Sequence, residues 1–250
     1  LRQPDISATQ IAFAHGGEIW IVPRSGGEAR RLTSTETADG DPCFSTDGSM
    51  IAYTGQTDGN GDVYVVAATG GEPRRLTWHP GNDRVRGWSP DGRKVIFGTS
   101  RETAPGGYTR LYAVGLEGGL PEPLPPPRAF AADYSPDGKQ LAYAEHAMAI
   151  VDDFDGISQW RNYRGGRVSP IRIFDLGNQS VRRLPWDNSN DSAPMWIGDT
   201  IYFLSDGEPS AGLIVDPTLI RSEVARWNSA LHVTIHCIAV GQDHSLLRGL

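Results

Sequence analysis

The chain is 250 residues long, with 30 glycines, 18 prolines and a formal net charge of −7. That length can bury a large core, and so many turn formers suit short strands rather than long helices. The acidic balance argues against a nucleic-acid partner, whose footprint is a basic patch, and no apolar run reaches the roughly 18–20 residues of a membrane span.

In chain order, the first strands fall in "DISATQIAF" (5–13) and "EIWIV" (18–22), and a Gly-Gly turn leads into "GGEARRLT" (26–33). The same order then repeats. "CFSTDGSMIAYTG" (43–55) holds two strands around a turn, "DVYVV" (62–66) a third and "GGEPRRLT" (70–77) a fourth. Next come "GWSPDGRKVIFGTS" (87–100), "RLYAV" (110–114) and "GGLPEPLP" (118–125). "DYSPDGKQLAYAE" (133–145), "IRIFDL" (171–176) and "GNQSVRRLP" (177–185) follow. Within Ser89-Pro90-Asp91-Gly92, proline pre-sets φ, aspartate bonds its own backbone and glycine takes the left-handed position. Val95-Ile96-Phe97 then reads as a strand. Ser45, Ser89 and Ser135 stand 44 and 46 residues apart. Four short strands in about 40–50 residues is the period of a β-propeller blade.

The expected fold is therefore all-β: a β-propeller of four-stranded antiparallel blades at 5–33, 41–77, 86–124 and 131–185. A partial fifth starts from 193, where "PMWIGDTIYFLSD" (194–206) opens. About four and a half blades leave the ring incomplete. Residues 1–206 make the propeller and 207–250 a tail outside the repeat. In that tail Asp216-Pro217 can start a short helix, and "LHVTIHCIAV" (231–240) alternates like a strand. An open ring exposes strand edges and apolar faces, so self-association into homo-oligomers is expected.

The sequence offers little for catalysis. No G-x-S-x-G elbow occurs, and serines copied once per blade are turn residues rather than nucleophiles. No catalytic residue, cofactor site or metal site is assigned. His232 and His236 lie in a stretch that reads as a strand, not on a helix face that could carry a metal pair. "DGNGD" (58–62) lacks the glycine and glutamate of a calcium loop and reads as a polar hairpin. Cys43 and Cys237 read as two reduced thiols. Cytoplasmic localisation is expected, with the periplasm as the alternative for a chain that opens on Leu1.

One segment stands apart. Between Tyr143 and Ile171 the fourth blade carries an insertion with "VDDFDG" (151–156) and "WRNYRGG" (160–166). Trp160, Arg161, Tyr163 and Arg164 are the candidate contact surface for a peptide or for the rest of a larger assembly. Guanidinium groups hold carboxylates in bidentate fashion, and the aromatics add contact area. Asp152, Asp153 and Asp155 are the competing partners, which would close the loop on itself.

With these residues in view, the chain resembles the N-terminal propeller of tricorn-type proteases from Leu1 to about Asp206. The likeness rests on "HPGNDRVRGWSPDG" (79–92), "GGLPEPLPPPRA" (118–129), "WRNYRGG" (160–166) and "PMWIGDTIYFLSD" (194–206). SPDG repeats alone are shared with TolB-type propellers. The resemblance implies a large oligopeptide-trimming enzyme with a six-bladed first propeller, a seven-bladed second, a PDZ-like module and a serine-peptidase core. The implied role is a non-catalytic propeller that gates or docks oligopeptides for that core, whose serine and histidine match no segment here. The implied partners are oligopeptides or the remaining domains of a larger peptidase. The alternative is a stand-alone TolB-like scaffold for protein–protein interaction.

Overall fold

Each Ser-x-Asp-Gly phrase closes a hairpin, and each hairpin begins a sheet. The computed structural model describes residues 1–35, 37–104, 107–146, 169–184 and 191–205, with Ser222, Arg226 and 234–239. These fall into two units, Leu1–Arg128 and Ala129–Leu250.

The first unit contains three four-stranded antiparallel sheets, each in sequential strand order. Blade 1 is β1 (Arg2–Ile6), β2 (Gln10–His15), β3 (Glu18–Pro23) and β4 (Arg30–Arg31). Blade 2 is β5 (Gly40–Phe44), β6 (Met50–Gly55), β7 (Asp62–Ala67) and β8 (Arg74–Arg75). Blade 3 is β9 (Asp83–Trp88), β10 (Lys94–Thr99), β11 (Arg110–Gly115) and β12 (Gly118–Pro123). The second unit holds blade 4, made of β13 (Ala131–Tyr134), β14 (Gln140–Ala144), β15 (Arg172–Asp175) and β16 (Val181–Arg183). Its other sheet has three strands, β17 (Asp191–Ile197), β18 (Thr200–Ser205) and β19 (Thr234–Ala239). The expected β-propeller of antiparallel blades is what forms.

The fifth sheet departs from the repeat. β19 runs parallel to β18, with Thr200 opposite Thr234 and Ser205 opposite Ala239. Parallel neighbours need a long crossover, and residues 206–233 are long enough to supply it. In the tail, Ser222 and Arg226 are helical.

The turn chemistry repeats atom for atom. In blade 3 the Ser89 hydroxyl donates to Asp91 Oδ1 at 2.6 Å and accepts the Lys94 N–H at 2.9 Å. Asp91 Oδ1 also accepts the Arg93 N–H, and Gly92 sits at φ 67°. Ser45–Asp47 and Ser135–Asp137 make the same bonds. These donors hold all three carboxyls below the ordinary value of 3.8, Asp47 at about 2. A depressed carboxyl contributes stability above its unfolded pKa and loses it as pH falls through the folded one. The thermal midpoint is thus expected to drop between pH 4 and pH 2, and Asp47→Asn with Asp91→Asn to flatten that dependence. Equal acid slopes for parent and variant would contradict this.

In blade 2 the middle strands are buried on both faces, because that blade lies between blades 1 and 3. In β6, Ile51 and Tyr53 enter a core with Ile19, Ile21 and Phe44, whereas Ala52 enters the next core with Val63, Val85 and Phe97. Side chains alternate faces along a strand, so two cores read as one unbroken apolar run. A third core, in the second unit, gathers Ala142, Ile171, Ile173, Ile201 and Phe203.

The first strand of a blade carries devices that the repeat grammar does not announce. Gln3, Asp41 and Ala193 take positive φ, each just before a proline, and each lies at a register shift in β1, β5 or β17. A bulge is where a strand tolerates proline. Two carboxylates then tie first strands together: Asp5 accepts the Phe44 N–H at 2.6 Å, and Asp133 the Trp196 N–H at 2.7 Å. Burial pushes the Asp5 carboxyl up.

Candidate functional site

Trp160, Arg161, Tyr163 and Arg164, with Asp152, Asp153 and Asp155, lie outside the described residues. The stem of their insertion is described, and it is closely bonded. Ser169 Oγ accepts the N–H groups of Glu145 at 3.1 Å and His146 at 3.3 Å. Arg172 pairs with Glu145 at 3.0 Å, and the Asp191 N–H donates to the Ser169 carbonyl at 2.8 Å. A lone serine carries no pattern, so nothing in the sequence singled out Ser169.

The insertion joins the second and third strands of its blade. In an antiparallel blade that connection and the link to the next blade emerge at the same end. Backbone bonds show them meeting in the first unit, where Asp39 N–H donates to Gly17 O and Asp83 N–H to Gly61 O, both at 2.7 Å. This end of blades 2 and 3 presents two exposed aromatics. Trp78 is 65 % exposed and has the Arg75 guanidinium 5.8 Å from its ring. Tyr108 has the Arg128 guanidinium 4.7 Å from its ring. The Trp78 loop is held firmly: Arg75 Nε donates to Thr77 O at 2.8 Å, Asn60 Nδ2 to His79 O at 2.8 Å, and the Gly61 N–H to Asn82 Oδ1 at 2.8 Å. A rigid exposed tryptophan beside arginine is the composition of a binding hot spot. Sequence reasoning did not single out either ring; the available signal was an aromatic inside a Gly/Pro-rich link.

Two carboxylate pairs occupy matching positions in successive repeats, one fully buried and the other with Glu18 only half-buried. Asp62 and Asp83 are fully buried. Asp62 receives Arg75 Nη2 at 2.7 Å and the Thr77 hydroxyl at 3.1 Å, and Asp83 receives Arg101 Nη2 at 2.6 Å. Burial pushes the Asp62 carboxyl up, against the pull of Arg75 and Thr77. Arg101 lies 5.2 Å from the Phe97 ring and 5.3 Å from that of Tyr112, a cation–π position. The second pair is Glu18 and Asp39. Glu18 Oε2 accepts the Thr33 hydroxyl at 3.0 Å and the Thr35 N–H at 3.3 Å, and Asp39 Oδ2 accepts the Thr35 hydroxyl at 3.1 Å. Burial raises the Asp39 carboxyl to about 6. Among the described residues no three His, Cys, Asp or Glu side chains cluster as a metal site. The serine hydroxyls of the repeat turns are engaged with their own aspartates. Among the described residues, no helix is long and apolar enough to cross a membrane.

Comparison with known proteins places this geometry. The family model described as "Tricorn protease N-terminal beta propeller domain" matches residues 1–215. Tricorn protease homolog 1 of Streptomyces coelicolor is 31 % identical over 218 residues, covering 85 % of this chain and 19 % of that protein. Among solved structures, a putative TolB from Agrobacterium tumefaciens superposes with a TM-score of 0.59 at 20 % identity, covering 77 % of this chain and 64 % of the other. The tricorn protease superposes with a TM-score of 0.51 at 18 % identity, covering 76 % of this chain and 17 % of the other. Both superpositions speak to the fold alone. The chain spans 18–19 % of the length of the curated relatives it matches. A family match that runs from the first blade through β18, over strands that pair as blades, shows that this chain belongs to the tricorn protease N-terminal β-propeller family.

Proposed function

We propose that this propeller is a non-catalytic module that gates or docks oligopeptides for the serine-peptidase core of a larger tricorn-like protein. The observation that carries this reading is the family match over residues 1–215, in a chain that spans about a fifth of its relatives. The exposed Trp78 and Tyr108, each backed by an arginine, support it, as aromatic and arginine side chains anchor peptides. The insertion is the second contact region, through Trp160, Arg161, Tyr163 and Arg164.

The test is fluorescence anisotropy of labelled mixed oligopeptides titrated with the purified 250-residue chain. Saturable binding is expected, reduced at least several-fold by Trp78→Ala and by the pair Arg161→Ala with Arg164→Ala, at unchanged thermal midpoints. The chain by itself is expected to leave fluorogenic peptides uncut. Absence of peptide binding, or binding indifferent to both variants, would overturn the docking role.

A further inference from the structure

The repeat supplies an internal control for the acids at its links. Glu18, Arg31, Thr33, Asp39 and Thr57 stand 44 residues before Asp62, Arg75, Thr77, Asp83 and Arg101. The threonines behave identically: Thr33 Oγ1 accepts the Ile19 N–H and Thr77 Oγ1 the Val63 N–H, both at 3.0 Å. Each then donates to the acid that opens the third strand. Asp39 and Asp83 also each keep one buried oxygen, Oδ1, without a hydrogen bond. The charges differ. In the later repeat, Arg75 and Arg101 neutralise the two acids. In the earlier one, Arg31 is exposed, and the place of Arg101 is taken by Thr57, which accepts the Tyr64 hydroxyl at 2.8 Å. Among the described residues no arginine or lysine pairs with Glu18 or Asp39.

We propose that the link between blades 1 and 2 is a proton-operated joint: Asp39 takes up a proton where the next repeat uses a guanidinium, so that mild acid tightens this link and neutral pH loosens it. Asp39 is 5 % exposed. A Cβ on Gly55 of β6 would lie 3.3 Å from its Oδ1 and 2.9 Å from the Tyr64 ring of β7, so aromatic carbon rather than a cation adjoins that oxygen. Burial and the Asp39 charge push the Tyr53 hydroxyl up, which keeps that phenol neutral. From β3 the only charge brought near is a second carboxylate, Glu18. His15, opposite Glu18 on β2, is exposed and turns its ring to Trp20. On β4, Arg30 donates to the Ala68 carbonyl, and on β5, Asp41 bonds Gln3 and Thr54. Glu36 lies outside the described residues. Two carboxylates with no cation repel, and a desolvated one favours its neutral form. Asp39 also grips the link itself: its N–H donates to the Gly17 carbonyl, and its Oδ2 holds the Thr35 hydroxyl, which reaches the Thr37 carbonyl as well. Burial, and after it the Glu18 charge, raise this carboxyl from 3.8 to about 6 against the pull of Thr33 and Thr35. An acid raised in this way contributes stability that is complete below its ordinary value and is lost as pH rises through about 6. That direction is opposite to the one set by the turn aspartates.

The experiment uses the intact chain at constant ionic strength. Its thermal midpoint is expected to fall by several degrees from pH 5 to pH 7.5. Asp5 and Asp62, also pushed up by burial, act in the same direction, so variants assign the effect. Asp39→Asn keeps an acceptor for Thr35 but carries no charge; it is expected to raise the midpoint at pH 7.5 and remove most of the slope. Thr57→Arg installs the guanidinium of the next repeat and is expected to do the same. His15→Gln and Glu36→Gln keep the slope. The local readout is amide hydrogen exchange, corrected for the intrinsic effect of pH. The Asp39 N–H is expected to lose protection several-fold from pH 5 to pH 7.5, whereas the Asp83 N–H, bonded to the Gly61 carbonyl at the matching place, keeps its own. A parent midpoint that does not fall across this range would overturn the joint. So would a slope unchanged in Asp39→Asn, a slope lost in His15→Gln, or an equal loss of protection at the two amides.

Discussion

Arg101→Ala is expected to destabilise the first unit by about 3–5 kcal/mol, the cost of leaving a buried charge without its partner. Asp83 has no exposed surface, and its one ion pair among the described residues is the 2.6 Å contact with Arg101. Its other oxygen, Oδ1, already lacks a hydrogen bond. The substitution also removes a guanidinium packed over Phe97 and Tyr112. Arg74→Ala is the contrasting case. Arg74 and Glu117 are exposed and 3.5 Å apart, and such pairs contribute about 0–1 kcal/mol. Urea denaturation of both variants measures the difference. Adding Asp83→Asn to Arg101→Ala is expected to recover part of the loss, since the orphaned charge is then gone. A cost for Arg101→Ala below that of Arg74→Ala would show that the buried pair does not hold blade 3.

Phe97→Ala is expected to cost about 3–5 kcal/mol, a transfer term plus a cavity that stiff neighbouring strands cannot fill. Phe97 is fully buried in the middle of β10, among Val85, Val95, Tyr112 and Val114. Its ring stacks on Tyr112 at 6.0 Å between centroids. Leu120 is as apolar but 95 % exposed on the outer strand β12, and Leu120→Ala is expected to change stability by less than about 0.5 kcal/mol. The measurement is the urea midpoint at unchanged m-value. Phe97 and Arg101 touch, so their double variant should cost less than the two singles together. Full additivity would mean that the ring and the guanidinium do not support each other.

The candidate contact surface was only partly legible in advance. The insertion announced itself because it interrupts a repeat, and an interruption of a period is visible in one dimension. Trp78 and Tyr108 did not, because an aromatic in a loop reads the same whether it is buried under the next strand or presented to solvent. The difference between the two carboxylate pairs was equally silent. It turns on Arg101 against Thr57, and neither position lies within 15 residues of the acid it serves or fails to serve.

What the sequence determined by itself was the local grammar and its period. Proline, aspartate and glycine at fixed turn positions, and apolar runs between them, specify hairpins through φ preferences and side chain–backbone bonds that need no distant partner. The recurrence of the turn in three copies, with further strands in the same order between them, is enough to call for blades. Tertiary structure decided the rest. It chose which face of β6 meets which core, set bulges at Gln3, Asp41 and Ala193, aimed Asp5 at Phe44, and paired β19 parallel to β18. Each of these depends on groups brought together by packing of one sheet on the next or by pairing across a long connection. A turn closes over a few neighbouring residues, whereas a charge or an apolar face acquires its partner only when the blades stack.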